Sequence, residues 1–545
     1  MPAIRGTVYQ AFCDTCTRSP DAQFLCVLPE TALHYGIDSR SYSYAQTLRE
    51  VEQLRVQYVS AGLGHGHRVA LMLENRPAFF FHWLALNALG VSVVPLNPEW
   101  RAAELEYLLG HAEPCAAIVP PERAHDLAEA AQSARQHVVV NSATLAELTR
   151  ISVPPPCGDR TPDVNTECAL LYTSGTTGRP KGCVLPNEYY LHAGTWYANV
   201  GGLCEVRPGR ERVLTPLPTS HMNAMAFSTM AVLLSGGCLI ALDRFHPKSW
   251  WNSVRESKAT IIHYLGVMPP MLLGAPESPA DHDHAVRFGF GAGVSPRLHG
   301  SFEQRFGFPL LEAWAMTETG AGAVIIANRE PRKVGSACFG KATPEVDCQI
   351  VDDQGNPVAQ DQPGELLVRT AGPNPRFGFF REYLKDPEAS AQAWMGGYFH
   401  TGDIVRRDAD GDLHFVDRKK NVIRRSGENI SAVEVESVLL QHPGVASVGV
   451  AAVPDDVRGD EVMACIVPRV MPDAATRTSL AHELLEFCLA RLAYFKAPGY
   501  VAFCSELPLT PTEKIQRARL GELARDRARA GDCVDLRSFK KRPVH

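Results

Sequence analysis

Strand-like and helix-like segments alternate along the first part of the chain. Arg68–Leu73 is typical of a buried strand, Ala78–Leu89 of an apolar helix and Val91–Pro95 of a second short strand. Strands that alternate with helices in this way predict a largely parallel sheet covered by helices. The same pattern resumes in three later strand-like runs, Leu214–Leu217, Gly237–Leu242 and Thr260–Tyr264. We therefore expect an α/β fold.

The pattern of apolar and turn residues changes near residue 344. Short alternating runs such as Asp347–Val351 and Gly364–Arg369 stand between turn residues, which favours a mostly antiparallel β subdomain. A charged stretch at 417–421 precedes a new pattern, with a helix-like run at Ala432–Gln441 and a strand-like run at Val445–Val453. We expect a large N-terminal domain over residues 1–419, built from parallel-rich αβ sheets and the β subdomain, and a small α+β domain over residues 420–545.

Composition narrows the class of protein. The formal net charge is -6, which argues against a nucleic-acid partner. The 15 cysteines have no framework spacing, and Cys13 and Cys16 are expected to be ordinary thiols because no second metal-binding pair accompanies them. No apolar run reaches membrane-spanning length and no secretory signal is visible, so we expect a cytoplasmic enzyme without a membrane span.

A run rich in glycine and hydroxyl groups, residues 173–182, follows the strand-like segment Ala169–Tyr172. Its three glycines let backbone N–H groups approach an anion closely, and its hydroxyls add donors. Lys181 supplies a positive charge that can reach a phosphate. The run is not a Walker loop, because Gly182 rather than Ser or Thr follows the lysine. The sequence predicts a phosphate-binding loop formed by Thr173, Ser174, Gly175, Thr176, Thr177, Gly178 and Lys181.

Two further segments carry chemistry that suits a nucleotide. In the segment Glu312–Thr319, the carboxylate of Glu318 is the hard oxygen ligand that Mg²⁺ prefers, and the face of Trp314 suits a purine. Asp403 stands in a Thr-Gly-Asp turn, where a carboxylate can accept hydrogen bonds from ribose hydroxyls.

These segments, taken in order, resemble the motifs of the adenylate-forming superfamily. That superfamily contains acyl-CoA synthetases, peptide-synthetase adenylation domains and beetle luciferases. The resemblance covers about residues 45–520 and also includes Leu217–His221, Gly291–Gly293 and Leu507–Lys514. The segments at 314–320, 426–431 and 512–514 look most like the carnitine/crotonobetaine-CoA ligase branch.

The resemblance implies a role for each matching residue. Trp314, in place of the usual Tyr, would stack on adenine, Thr317 would contact the α-phosphate, and Glu318 would hold Mg²⁺. Asp403 and Arg418 would hold the ribose. The implied ATP-binding set also contains Gly291, Ala292, Gly293, Glu312 and Ala313.

The same resemblance predicts the acyl pocket. It would be lined by His221, Asn223, Gly266, Gly291 and Ala315. Ala315 replaces the usual Gly and adds only a methyl group, whereas acetate-specific relatives close the pocket there with Trp. We therefore expect a small to medium acyl or aryl acid that is larger than acetate.

The reaction implied by the resemblance has two steps. Lys514, preceded by Glu513 where most relatives have Gly, would bridge the acid and the α-phosphate. Rotation of a mobile C-terminal domain about the hinge residue Lys420 would then withdraw this lysine. Coenzyme A would enter along Ser426, Gly427 and Glu428. The expected catalytic residues are Lys514, Glu318, Thr317 and Lys181, and the expected substrates and cofactors are ATP, Mg²⁺, coenzyme A and a carboxylic acid.

Alternative functions stay open at this stage. An adenylating enzyme for amino or aryl acids could load a separate carrier protein, although no carrier domain follows residue 520. A luciferase-like oxygenase is a third reading, against which only the lack of a peroxisomal C-terminal tripeptide counts. A catalytically inactive nucleotide-binding protein is a reading of another class. A homodimer is compatible with the sequence, which does not decide the oligomeric state.

Overall fold

The computed structural model describes residues 5–136, 138–142, 155–156, 160–173, 180–418, 422–473, 475–508 and 515–540. The helices are α1 Val8–Arg18, α2 Pro29–Tyr35, α3 Tyr44–Ser60, α4 Pro77–Ala88, α5 Ala102–Ala112, α6 Ala124–Ser133, α7 Asn187–Asn199, α8 Thr229–Ser235, α9 Trp250–Ser257, α10 Met268–Leu273, α11 Pro296–Phe306, α12 Pro387–Ala393, α13 Ala432–Leu439, α14 Arg477–Leu489 and α15 Arg517–Ala530. A π-helical stretch covers Asn223–Ser228.

The strands begin with β1 Gln23–Cys26, β2 Ser41–Ser43, β3 Arg68–Leu71, β4 Ser92–Pro95, β5 Ala116–Val119, β6 Val139–Ser142, β7 Glu167–Thr173, β8 Lys181–Pro186, β9 Arg212–Thr215, β10 Cys238–Ala241, β11 Ile261–Leu265, β12 Phe288–Ala292 and β13 Leu310–Trp314. They continue with β14 Ile325–Ile326, β15 Cys338–Gly340, β16 Val346–Val351, β17 Gly364–Thr370, β18 Glu382–Tyr383, β19 Phe399–Arg407, β20 Leu413–Arg418, β21 Val422–Arg425, β22 Glu428–Ser431, β23 Val445–Asp455, β24 Gly459–Pro468, β25 Tyr500–Phe503 and β26 Val534–Asp535.

The chain forms two compact units, and the larger one comprises residues 1–98, 109–171 and 182–417. One of its sheets has the strand order β14-β13-β12-β11-β9-β10-β1-β2, and its neighbours from β13 to β1 pair in parallel. A second sheet has the order β18-β8-β7-β4-β3-β5-β6, in which β7, β4, β3, β5 and β6 are parallel neighbours. The α/β class expected from alternating strands and helices is therefore confirmed.

The β3–α4–β4 unit shows how the sequence produces this architecture. Pro77 occupies the first turn of α4, where its missing N–H removes no helical hydrogen bond. The helix is apolar on all sides and almost entirely buried, as expected for a helix covered by other elements rather than by water. Trp83, with no exposed surface, donates its indole N–H to the Cys168 sulfur at 3.4 Å. Burial of each such large side chain contributes about 1.5–3 kcal/mol.

The larger unit also contains an antiparallel sheet with the order β15-β20-β19-β17-β16. Strands β16 and β17 pair along their whole length, from Val346 opposite Thr370 to Val351 opposite Glu365. The short alternating runs near residues 347 and 364 correctly indicate this sheet.

The smaller unit comprises residues 99–108, 172–181 and 418–545. Its sheet has the order β22-β21-β24-β25-β26, and β23 pairs with β24. Helices α13 and α14 contribute Val435, Leu439 and Leu484 to a buried core with Val448 of β23. Strand β23 extends two residues beyond the expected end at Val453, because Pro454 and Asp455 still pair with β24.

Two further expectations concern cysteines and membranes. All cysteines in the described parts of the chain are free thiols, including Cys13 and Cys16 of α1. None of the helices in the described ranges has both the length and the apolar character needed to cross a bilayer.

Candidate active site

Most of the predicted nucleotide and acyl residues of the larger unit follow the carboxyl ends of neighbouring parallel strands. His221 and Asn223 follow β9, Gly266 follows β11, Gly291 and Ala292 end β12, and Trp314 ends β13. Because β9, β11, β12 and β13 are neighbours in one sheet, these residues share one edge of it. This is the edge at which open α/β sheets bind ligands.

A tight turn at the end of β12 forms part of this edge. Gly293 has φ +81°, which favours glycine, and Ala292 and Gly293 are exposed. A Cβ atom on Gly266 would lie 1.8 Å from the carbonyl oxygen of Gly293, and one on Gly291 would lie 2.3 Å from the carbonyl oxygen of Tyr264. The two strand ends approach each other so closely that both positions require glycine.

Glu312 of β13 supports this turn from within. Its carboxylate accepts hydrogen bonds from the backbone N–H groups of Gly293, at 2.9 Å, and Val294, at 3.2 Å, and from the Tyr264 hydroxyl at 2.7 Å. Burial raises the pKa of the Glu312 carboxyl, and the three hydrogen bonds oppose that rise. Since both carboxylate oxygens bind protein donors, Glu312 shapes the turn that would face the nucleotide.

Trp314 and Asp403 are brought together from two separate motifs. The indole N–H of Trp314 donates to Oδ2 of Asp403 at 2.9 Å, although 89 positions separate the two residues. Asp403 lies on β19 and is 1% exposed, and Trp314 is 7% exposed. Trp314 therefore supplies a hydrogen bond as well as an aromatic face.

Two tyrosines hold the segment that contains Thr317 and Glu318. The Tyr383 hydroxyl donates to Oε1 of Glu318 at 3.0 Å, and the Tyr189 hydroxyl donates to the carbonyl oxygen of Thr317 at 2.9 Å. Burial, together with the adjacent Glu318 carboxylate, raises the pKa of Tyr383, which keeps this phenol a donor. The backbone N–H of Phe380 also donates to the carbonyl oxygen of Glu318, at 2.9 Å.

The predicted acyl residues His221, Asn223, Gly266 and Ala315 are partly buried, as wall residues of a cleft are, whereas Gly291 is buried. Asn223 begins the π-helical stretch, a distortion that is frequent at functional sites. Its amide oxygen lies 2.7 Å from Nδ1 of the buried His263, a residue that the sequence motifs do not include.

Several predicted residues belong to the smaller unit. Thr173 is the last residue of β7 and Lys181 the first of β8, whereas Ser174, Gly175, Thr176, Thr177 and Gly178 lie outside the described residues. Arg418 is the last residue of β20, and its side chain is not described. Lys420, Glu513 and Lys514 also lie outside the described residues.

The predicted CoA-step residues lie in a tight hairpin. Ser426 and Gly427, with φ +51° and +90°, form the two-residue turn between β21 and β22, and Glu428 begins β22. Positive φ at both positions is typical of a type I′ turn, which matches the twist of the flanking strands. The turn is anchored by a hydrogen bond from the Ser426 N–H to the carbonyl oxygen of Arg458 at 2.8 Å.

One acidic cluster is a poor metal site despite its composition. Asp408, Asp410 and Asp412 bring carboxylate oxygens within 4.8 Å of one another. The Nζ atom of Lys333 lies 2.6, 2.7 and 3.2 Å from these three carboxylates, so its ammonium group takes the place that a cation would occupy.

Two family sequence profiles match this chain. The sequence profile of the AMP-binding enzymes matches residues 14–384, and that of the AMP-binding enzyme C-terminal domain matches residues 434–514. A crotonobetaine/carnitine–CoA ligase from Escherichia coli O157:H7 (strain EC4115 / EHEC) is 28% identical over 499 residues, which cover 89% of this chain and 94% of that protein.

Two solved structures have the same fold. An o-succinylbenzoate CoA synthetase from Bacillus subtilis superposes with a TM-score of 0.79 at 22% identity, covering 95% of this chain and 99% of that one. A malonyl-CoA ligase with methylmalonyl-CoA and AMP bound gives a TM-score of 0.72 at 26% identity, covering 90% and 97%.

The chain therefore belongs to the family of AMP-binding enzymes, which is part of the adenylate-forming superfamily. Within that superfamily it is an AMP-forming acid–thiol ligase of the acyl-CoA synthetase type. ATP and coenzyme A are substrates of this family.

Proposed function

We propose that this enzyme converts a carboxylic acid and ATP into an acyl-adenylate and pyrophosphate, and then transfers the acyl group to coenzyme A. The observation that carries the proposal is the buried hydrogen bond from Trp314 to Asp403. It unites the aromatic side chain expected beside adenine with the carboxylate expected on the ribose, at the edge of the sheet that also bears the acyl residues.

The first step needs little proton transfer, because the attacking carboxylate is already ionised. The protein positions the two substrates and balances the phosphate charge. In the proposal, Lys181 and the adjacent loop hold the leaving phosphates, Thr317 contacts the α-phosphate, and Lys514 bridges that phosphate and the acid. Asp403 and Arg418 hold the ribose.

Glu318 is the residue proposed to hold Mg²⁺. A carboxylate oxygen suits this hard cation, and the hydrogen bond from Tyr383 fixes the orientation of the carboxyl group. When bound, Mg²⁺ would neutralise negative charge on the phosphates.

The second step requires space for the thiol of coenzyme A at the same carbonyl group. We assign residues 1–419 and 420–545 to two domains and Lys420 to the hinge between them. Rotation about this hinge would withdraw Lys514 and bring Ser426, Gly427 and Glu428 to the thiol. The tight type I′ turn at these residues would present a compact tip to the site.

The acid is proposed to be a small to medium acyl or aryl acid larger than acetate. Ala315 is partly buried, and its methyl group would narrow an acyl pocket only slightly. A cytoplasmic location and a homodimer stay predictions. Fractionation and sedimentation analysis, respectively, would test them.

Pyrophosphate release tests the proposal directly. It should depend on both ATP and acid across a panel of carboxylic acids, and thioester should accumulate only when coenzyme A is present. Pyrophosphate release without any acid dependence would overturn the proposal.

Separate assays of the half-reactions test the role of Lys514. Lys514→Ala should slow adenylate formation by roughly a hundredfold or more, as expected for a central electrostatic contact. Thioester formation from preformed acyl-AMP should be largely retained. Lys248→Ala, at an exposed lysine, is the matched control and should leave both half-reactions intact. Equal loss in both half-reactions would contradict the assignment of Lys514.

A further inference from the structure

A network of hydrogen-bonded buried side chains ends at Asn223, which lies on the edge of the sheet where we propose that the acid binds. His263 of β11 is completely buried, and its Nε2 atom lies 3.0 Å from the Tyr197 hydroxyl. Its Nδ1 atom lies 2.7 Å from Oδ1 of Asn223 and 2.8 Å from Oγ of Ser228. The residues come from α7, β11 and the π-helical stretch, so the network links three elements of the larger unit.

The protonation states of the hydrogen-bonded side chains follow from their burial. Desolvation lowers the pKa of His263 to about 3, so the imidazole is neutral and has one N–H donor and one acceptor nitrogen. Desolvation also raises the pKa of Tyr197, which keeps its phenol protonated. Among the described residues, His263 Nε2 is the only hydrogen-bond partner of the Tyr197 hydroxyl. The hydroxyl must therefore donate its proton to Nε2, because a buried proton without an acceptor is costly.

The orientation of the Asn223 amide is fixed in turn. Because Nε2 accepts from Tyr197, the imidazole proton is on Nδ1, where it requires an acceptor. The Asn223 amide must therefore present its oxygen to His263, and its NH₂ group lies on the opposite side of the amide. Ser228 does not reverse this assignment, because its hydroxyl can donate to the backbone carbonyl oxygen of Asn223 at 3.3 Å.

The NH₂ group of Asn223 is thus a pair of donors directed away from the buried histidine. Asn223 is partly exposed, and no acceptor for Nδ2 occurs among the residues that the structure describes. The buried network holds the amide oxygen of Asn223, whereas the amide NH₂ group has no acceptor within that network. Such an arrangement is typical of a group that reads a ligand.

We propose that Asn223 selects acids whose acyl group carries a neutral oxygen acceptor, such as a hydroxyl or carbonyl group, over plain hydrocarbon acids. Asn223 is then a specificity residue, and His263 and Tyr197 are positioning residues. This inference rests on the proposed function, since it concerns the acid that the enzyme activates. A hydrocarbon acid would cover the NH₂ group without satisfying it, which is the basis on which polar sites reject apolar analogues.

Acid-dependent exchange of pyrophosphate into ATP, measured with matched acids, tests the inference. Suitable sets are butanoate with 3- and 4-hydroxybutanoate, and benzoate with 4-hydroxybenzoate. In the set of acids that the pocket accepts best, the wild-type kcat/KM should be about tenfold or more higher for the oxygenated acid than for the plain acid. The plain acid would leave the NH₂ group of Asn223 without an acceptor. A ratio near unity in every set would overturn the inference, whereas a lack of exchange with every acid would overturn the proposed function itself.

Two substitutions at Asn223 separate selectivity from structure. Asn223→Asp retains the oxygen that accepts from His263 but lacks the amide donors, so the preference for oxygenated acids should disappear. Asn223→Leu should reverse the preference in favour of plain acids, and this variant provides a second readout if the aspartate variant is unstable. Asn374→Asp is the matched control: Asn374 is exposed, and its Oδ1, which accepts from the Arg376 N–H, is retained. An unchanged preference in both Asn223 variants would refute the role of the amide.

Tyr197→Phe tests the positioning network. Loss of this hydroxyl removes the donor that fixes the imidazole proton on Nδ1, so the amide is free to reverse. The preference for oxygenated acids should fall, because kcat/KM for the oxygenated acid should decrease more than kcat/KM for the plain acid. An equal loss of kcat/KM for both acids would instead indicate a purely structural role and would contradict the network.

Discussion

Replacement of Trp314 by Phe separates its hydrogen bond from its aromatic face. Phe retains a ring that can stack on adenine but has no N–H group for Asp403. In the structure, the donor and acceptor are 2.9 Å apart and both residues are at least nine-tenths buried. A hydrogen bond to a charged group in such surroundings contributes about 1.5–3 kcal/mol. We therefore expect kcat/KM for ATP to fall by roughly tenfold to a hundredfold, since 1.4 kcal/mol corresponds to a factor of about ten.

The matched control is Trp394→Phe. Trp394 is 6% exposed, and its indole N–H makes no hydrogen bond to any described residue. This substitution removes the same atoms from a similarly buried position without removing such a bond. It should lower thermal stability less than Trp314→Phe does and leave kcat/KM for ATP unchanged.

The assay is steady-state pyrophosphate release at saturating acid with varied ATP, accompanied by thermal melts of each variant. A double-mutant cycle with Asp403→Asn measures the coupling between the two side chains, which should be about 1–3 kcal/mol for groups in direct contact. The reasoning would be refuted if Trp314→Phe behaved like Trp394→Phe, or if the coupling in the cycle were zero.

Three further substitutions test other parts of the structure. Tyr383→Phe removes the hydroxyl that orients Glu318. It should raise the Mg²⁺ concentration needed for half-maximal activity by about tenfold, as expected for a lost hydrogen bond to a charged group. The control Tyr398→Phe loses a hydrogen bond to Asp347 instead and should not change this Mg²⁺ concentration. Gly266→Ala places a Cβ atom 1.8 Å from the Gly293 carbonyl oxygen and should abolish acid-dependent exchange, whereas Gly274→Ala, with nearest atoms at 3.5 Å, should be tolerated. Lys540 is buried against Glu461, and desolvation lowers its pKa to about 7, well below the unfolded value. The unfolded state then binds more protons between about pH 7 and pH 10, so the unfolding free energy of the wild type should rise with pH relative to Lys540→Met. Thermal or urea unfolding of the two proteins from pH 7 to pH 9 measures this difference. If the unfolding free energies of both proteins changed equally with pH, the lowered pKa of Lys540 would be excluded.

The sequence predicts the fold class, because it follows from local patterns, and the site residues stay predictions. The strand-like runs Leu214–Leu217, Gly237–Leu242 and Thr260–Tyr264 overlap strands β9, β10 and β11, whereas β12 and β13 are not predicted as strands. The helix predicted at Ala78–Leu89 is found one residue earlier, at Pro77–Ala88, because proline is well accommodated in the first turn of a helix.

The residues that support the site could not be predicted in this way. Tyr264 contacts Glu312 across 48 positions, Tyr383 contacts Glu318 across 65, and His263 contacts Asn223 across 40. Each is a single aromatic or histidine residue within an ordinary strand, where the local sequence favours a plain core position. Only the packing of distant segments shows that these side chains orient groups at the site.

The two proposed recognition elements of the site have separate supports. Trp314 and Asp403 depend on β13 and the antiparallel sheet, whereas Asn223 depends on His263 of β11 and on α7. The two sets share no hydrogen-bond partner among the described side chains. Effects of substitutions in sets without shared partners usually add. For enzyme engineering, acid preference and ATP affinity can therefore be optimised in separate libraries, and the best variants can be combined with little loss of either gain.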